Sequence, residues 1–129
     1  MNENKFSKAE LFLYYSLPEI RVDIAHIKLL GISSAITLSY FIDCHNYYKK
    51  QDLLTEDGRF YQKLQNISIA LNCDLQQTKR RIKRLKDKGY LDIEKKGSPA
   101  KNYYRINFNK LVKDSLKVQS SEKRNAILF

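Results

Sequence analysis

The sequence predicts a mainly helical α+β domain with one small antiparallel sheet, and three observations carry that prediction. Leu64 to Leu71 (LQNISIAL), the turn Asn72-Cys73-Asp74 and a basic segment opening at Leu75 read as two short helices joined tightly. Past Gly89 the period changes from helical to alternating. Leu91 and Ile93 alternate with Asp92 and Glu94, then Tyr104, Ile106 and Phe108 alternate with Tyr103, Arg105 and Asn107, as paired half-buried strands do. Charge gathers in the same stretch: from Lys79 to Arg105 eleven Lys or Arg stand against three acids, in a chain whose formal charge is +10.

In chain order, residues 1–10 are polar and expected to fray, and 11–17 (LFLYYSL) are apolar enough to be ordered, with strand and helix both open. Pro18 suits the first turn of a helix over 19–30, with Ile20, Ile24, Ile27 and Leu30 inward and Arg21, Asp23 and Lys28 outward, stopped by Gly31. Ser33 is the expected N-cap of a helix over 34–50. Its apolar residues Ala35, Ile36, Leu38, Tyr40, Phe41, Ile42 and Tyr47 exceed a single stripe, which marks a central, largely buried helix. Residues 51–58 form a loop and 59–62 a short strand, Phe60 inward, Arg59 and Tyr61 less so.

For the helix opening at Leu75, Asp74 is the expected N-cap for the Gln77 N–H, with Gln77 reaching back as in a capping box. Leu75, Thr78, Ile82 and Leu85 form its inward stripe, and Lys86, Lys88 and Gly89 close it. A lysine-rich connection over 95–101 looks too long for a tight hairpin. Residues 109–118 read as a weaker helix with Leu111, Val112 and Leu116 apolar, 119–124 as a polar spacer, and 126–129 as an apolar end, either docked or disordered. Helix, turn, helix and hairpin together make a winged helix-turn-helix, its small antiparallel sheet being the wing hairpin plus the short strand. The 129 residues, 43% hydrophobic, suit a single domain: an N-terminal extension over 1–17, a core over about 18–108, and a C-terminal helix and tail over 109–129.

Residues 20–108 resemble the winged helix-turn-helix domains of replication and DNA-binding proteins of Gram-positive phages, plasmids and integrated elements. The likeness is carried by GISSAITLSYF, by EDGRFYQ with its aromatic strand after Asp57-Gly58, by KRLKDKGYLDI and by the wing ending in KGSPAKNYYRIN. It implies a replication or DNA-processing role for a factor of a mobile genetic element.

The charge by itself points to a polyanion, since a duplex carries one phosphate charge per ~1.7 Å and each neutralised phosphate releases counterions. With the second helix in the major groove, Gln76 and Gln77 are candidates for adenine and Arg80 for guanine. Lys79, Lys83 and Arg84 are candidates for phosphates, and Lys95, Lys96 and Lys101 of the wing for flanking phosphates or the minor groove. Arg81 either contacts phosphate or pairs with an acid. Tyr103 and Arg105 either touch DNA or cover the sheet, and Thr78 is expected to pack.

No catalytic site, metal or cofactor is expected. The chain has two histidines and four glycines, no P-loop or GxGxxG, and its adjacent Cys44 and His45 diverge on a helix. Tyr14-Tyr15, Tyr47-Tyr48 and Tyr103-Tyr104 are each expected to have one partner in and one out. Two cysteines without a CxxC suggest reduced thiols in a cytoplasmic protein, and no window reads as a signal peptide or membrane span. Duplex DNA is the expected partner, with a homodimer and replication or transfer proteins as further candidates and no membrane. Two other readings use the same surface: a transcriptional repressor, and a protein-interaction module with nonspecific duplex or single-strand binding. The N-terminal segment and the apolar end would carry dimerisation or partner docking.

Overall fold

The chain, described over residues 5–125 in a computed structural model, runs α1 (Lys8–Tyr15), α2 (Ile24–Leu30), α3 (Ile32–Lys50), β1 (Phe60–Tyr61), α4 (Leu64–Leu71), α5 (Leu75–Asp87), β2 (Leu91–Lys96), β3 (Lys101–Ile106) and α6 (Phe108–Asn125). It is a mainly helical α+β fold. The three strands form one antiparallel sheet in the order β1-β3-β2, with Phe60 opposite Tyr104 and Ile93 opposite Tyr104 on its other side. This succession of helix, strand, two helices and hairpin is consistent with a winged helix.

The core lies between α3, α5 and the sheet. Leu38 and Phe41 of α3, Ile67 of α4, Ile82 and Leu85 of α5, and Phe60, Leu91, Tyr104 and Ile106 of the strands are buried together. Aromatic rings join its layers: Phe41 lies 4.8 Å from Tyr104 between ring centroids, and Tyr48 stacks on Phe60 at 5.8 Å. Such tilted and offset pairs add about 0.5 to 1.5 kcal/mol each beyond the area they bury. The central helix therefore anchors the sheet through its ring faces. Leu111 of α6 closes the far edge, where Tyr90 donates to the Asp114 carboxylate at 2.7 Å.

Several boundaries differ from those expected. Residues 8–15 are a helix capped by Ser7 and Glu10 in a reciprocal box, so the polar start is not frayed where the structure describes it. Residues 18–23 are neither helix nor strand, and α2 begins only after Asp23. Its inward face is His26 and Leu30, with Ile24 exposed. Gly31, at φ +85°, both stops α2 and starts α3, so Ser33 lies within the first turn and caps nothing. A residue with a Cβ rarely takes that backbone conformation. Ile36 and Tyr47 of α3 face out, whereas Thr37 and Ser39 are buried, their hydroxyls donating to carbonyls four residues back.

At the other end β3 stops at Ile106, and Asn107 accepts the Lys110 N–H to open α6 at Phe108, which continues through the expected spacer to Asn125. Val112 and Leu116 are exposed. The apolar 126–129 end lies outside the described residues. Of the tyrosine pairs, Tyr48 and Tyr104 turn inward as expected, but Tyr14 and Tyr15 both face out.

Leu85 is completely buried on α5. Leu85→Ala is expected to cost about 2 to 5 kcal/mol through lost burial and residual cavity, read as a lowered urea midpoint by circular dichroism. Wild-type stability in that variant would mean that α5 is not held by its apolar stripe.

Candidate nucleic-acid interface

The site is built on the turn between α4 and α5. Asn72 takes the left-handed conformation (φ 50°, ψ 50°) that ends α4, and the Ser68 hydroxyl donates to the Cys73 carbonyl at 2.8 Å. Asp74 then caps α5, its Oδ1 accepting from Gln77 N–H at 2.8 Å. A cap of this kind stabilises a helix by about 1 kcal/mol. Thr78 packs as expected, fully buried, with its hydroxyl donating to the Asp74 carbonyl and in contact with Cys73 Sγ at 3.0 Å. The turn is thus locked on both sides, which fixes where the first residues of α5 point.

With Thr78, Ile82 and Leu85 inward, the 100° step per residue directs Gln76, Arg80 and Lys83 to the opposite side, with Gln77, Lys79 and Arg84 flanking them. All six are exposed, as is Leu75, which sits outside the stripe it was expected to join. Lys83 pairs with Asp87 one turn on at 2.7 Å, a solvent-exposed contact worth a few tenths of a kcal/mol. Arg84 is tied differently from the others. Its Nε donates to the Leu30 carbonyl at 3.1 Å, so it clamps α5 to the end of α2. Arg81 is half-buried beside the stripe and forms no ion pair with an acid among the described residues.

The wing is shorter-turned than expected. Lys96 pairs with Lys101 in register, so only residues 97–100 connect the strands, and Lys95, Lys96 and Lys101 sit on strand ends instead of in a loop. Gly97 supports the turn at φ +92°. Two of these lysines lie against tyrosines: Lys101 Nζ is 5.1 Å from the Tyr61 ring centroid and Lys96 Nζ 5.6 Å from that of Tyr103. Lys96 also approaches Glu94 at 3.7 Å, while Lys95 is exposed. Tyr61 and Tyr103 are neighbours at 5.8 Å, so the outer face of the sheet presents an aromatic pair with a cation beside each ring.

Arg59 is the residue that sequence reasoning missed. Its side chain is only 6% exposed, and it bonds Asp57 at 2.7 Å, Asp92 at 2.6 Å and Glu94 at 3.1 Å. One guanidinium therefore fastens the 51–58 loop to β2, a fork that lysine could not reproduce. Arg105 joins at 3.0 Å from Asp92 and reaches the Asp57 carbonyl, which makes it part of the sheet's cover. The signal was present: outward acids at alternate positions of β2 need a cation, and Arg59 is next to the strand.

This network favours the ionised forms of Asp57 and Asp92. Hydrogen bonds from Thr55 and Arg59 lower the Asp57 carboxyl to about 2, and Arg59 lowers that of Asp92. Of the two histidines, buried His26 lies 3.8 Å from Asp23. His45 packs on Phe108 at 4.9 Å while the Cys44 thiol lies near the Gln62 amide, and among the described residues no three or more His, Cys, Asp or Glu are grouped to hold a metal. Nor, among the described residues, is any helix long and apolar enough to cross a membrane.

Capped turn and basic helix form a helix-turn-helix, followed in the chain by a lysine-tipped hairpin. Among solved structures the chain is similar to one described as the N-terminal domain of a DNA binding protein, with TM-score 0.60 and 17% identity over 98% of this chain and 100% of that one. It is also similar to one described as a Rep-DNA complex, with TM-score 0.62 and 18% identity over 97% of this chain and 99% of that one. At such identities the likeness is one of fold. No family model matches the chain, and neither does any curated protein.

Two outcomes test the Arg59 network. Arg59→Met is expected to cost about 1 to 3 kcal/mol, less than breaking a fully buried pair because the partner carboxylates are roughly half exposed; amide exchange in β2 would rise with it. Asp57 and Asp92 bind protons more weakly folded than unfolded, so their stabilisation is complete above their ordinary range near pH 4 and fades as pH falls towards about 2. The thermal midpoint should drop across that window, and drop less in Arg59→Met. An equal drop in both proteins would separate the acid sensitivity from Arg59.

Proposed function

We propose that this chain is a non-enzymatic, sequence-specific binder of double-stranded DNA, a factor of a mobile genetic element acting in replication initiation or DNA processing. The observation that carries the reading is the face of α5 on which Gln76, Arg80 and Lys83 are exposed opposite the buried Thr78, Ile82 and Leu85. A helix whose inward side is fixed by packing offers its outward side at one set angle, which is what groove recognition needs. The likeness to structures described as a DNA binding protein's N-terminal domain and a Rep-DNA complex supports it. So do the residues resembling replication proteins of phages and plasmids.

In this reading α5 enters the major groove with its N-terminal half nearest the bases. Gln76 and Gln77 read adenine through paired N6 and N7 contacts, and Arg80 reads guanine O6 and N7. Lys79 and Lys83 grip phosphates, and Arg84 contributes with the amino groups that its bond to Leu30 leaves over. Lys95, Lys96 and Lys101 reach the flanking backbone from the wing. Phosphate contacts set register and affinity, while the base contacts set preference.

Arg80→Ala is expected to lose about 1 to 3 kcal/mol on the preferred site and to relax preference at one base pair, whereas Lys95→Ala weakens all sequences alike and lowers the salt slope by about one. Selection from a random duplex library at near-physiological salt supplies the site for both measurements. An enriched motif is the expected result. Binding without enrichment, fading steeply with salt, would reduce the surface to backbone contact and remove the sequence-specific reading.

A further inference from the structure

Helix α1 has no place in the duplex reading, and nothing in the described body covers it. Every residue from Lys5 to Glu19 is exposed. Phe6, Leu11, Phe12, Leu13, Tyr14, Tyr15 and Leu17 are all large and apolar, with Phe12 at 71% and Tyr15 at 79% of full exposure. Helices under about 12 to 15 residues are marginal alone in water, and α1 has 8. Its capping box orders one end, but the helix needs a packing partner. It also carries a ready receptor, an apolar groove of about 350 Å³ bounded by Phe6, Glu10, Leu11 and Tyr14.

We infer that α1 is a self-association element, packing against α1 of a second copy across a two-fold axis. Charge favours that occupant. Residues 1–58 hold six Lys or Arg against eight Asp or Glu, while residues 59–129 hold 18 against six. Two chains of +10 repel through most of their surface, and the N-terminal half is where like molecules can meet without that repulsion. Area is compatible with charge. Whole aromatic side chains present ~150 to 250 Å², so the four aromatics and three leucines of this segment expose on the order of 800 Å² around the helix, and the roughly half that one partner can cover lies at the low end of specific interfaces. A two-fold pairing is self-complementary, so a groove on each α1 receives the aromatic side chain of the other. The basic halves are then held apart, each free to face DNA. Self-association is measured without DNA and stands or falls separately from the duplex reading.

Sedimentation velocity on the full chain at tens of micromolar tests the inference. A species of twice the 15.2 kDa chain mass is expected, and Phe12→Glu with Tyr15→Glu should return it to one chain mass with an unchanged thermal midpoint, because α1 buries nothing in the body. A monomeric wild type would overturn the inference, as would a double variant that stays dimeric. A monomer whose α1 amides resist exchange until residues 126–129 are removed would assign the surface to the chain's own end, and would also overturn it.

Discussion

The burial of Thr78, Ile82 and Leu85 is the constraint on which the rest of this molecule depends. Three side chains on one side of α5 fix its rotation about its own axis, and that rotation decides which residues face solvent. The neighbouring bonds then remove the remaining freedom. Asp74 sets where the helix begins, the Ser68 bond to Cys73 sets the angle of the preceding turn, and Arg84 fastens the helix to the Leu30 carbonyl across 54 residues of sequence. A rotation of one residue would carry Arg80 about 100° away from the outward direction. Orientation, more than composition, therefore decides which basic side chains α5 presents to solvent.

Sequence reasoning succeeded where local physics and the final packing agree. The bounds of α4, the N-cap of α5, three of the four residues of its stripe and the alternation of β2 and β3 are short-range patterns, and these are found. It failed where a distant partner decides. Ile24 was read inward because it fits a helical stripe with Ile27, yet His26 and Leu30 face the core, since α2 packs against α3 and α6 on that side. Gly31 was read only as a stop, although its positive φ serves two helices at once. Arg59 looked like an ordinary strand residue beside Asp57, and the fold brings Asp92 and Glu94 to it from more than 30 residues away. For the candidate interface the residue types were legible, but their ties were not: Arg84 to Leu30, and Lys96 and Lys101 to the tyrosines, join segments far apart in sequence.

The wing and the helix are held by different physics. Packing holds α5, with the Asp74 cap and the Arg84 bond to the Leu30 carbonyl added to it. The outer face of the sheet is held by one guanidinium, three carboxylates and a second arginine, so its geometry depends on ionisation. The inner face of the same strands carries Leu91, Tyr104 and Ile106, all buried. The hairpin base is thus rooted in the core and the charged clamp governs only how the loop and the strands are joined. That places the adjustable element at the edge of the site and the rigid one at its centre.

The tyrosines beside Lys96 and Lys101 bear on how the wing can hold a phosphate. A lysine loses about 2 kcal/mol of rotamer freedom when it is fixed, and an ammonium resting near an aromatic face gives up part of that freedom before any partner arrives. The ring takes one side of the ammonium and leaves N–H donors on the others. An anion meeting the wing from outside therefore finds donors already gathered, at a smaller ordering cost than lysines free in solvent would impose. Glu94 opposes this by sitting 3.7 Å from Lys96, which weakens that lysine relative to Lys95 and Lys101. Of the two lysines that pair at the end of the hairpin, Lys101 is therefore the less encumbered.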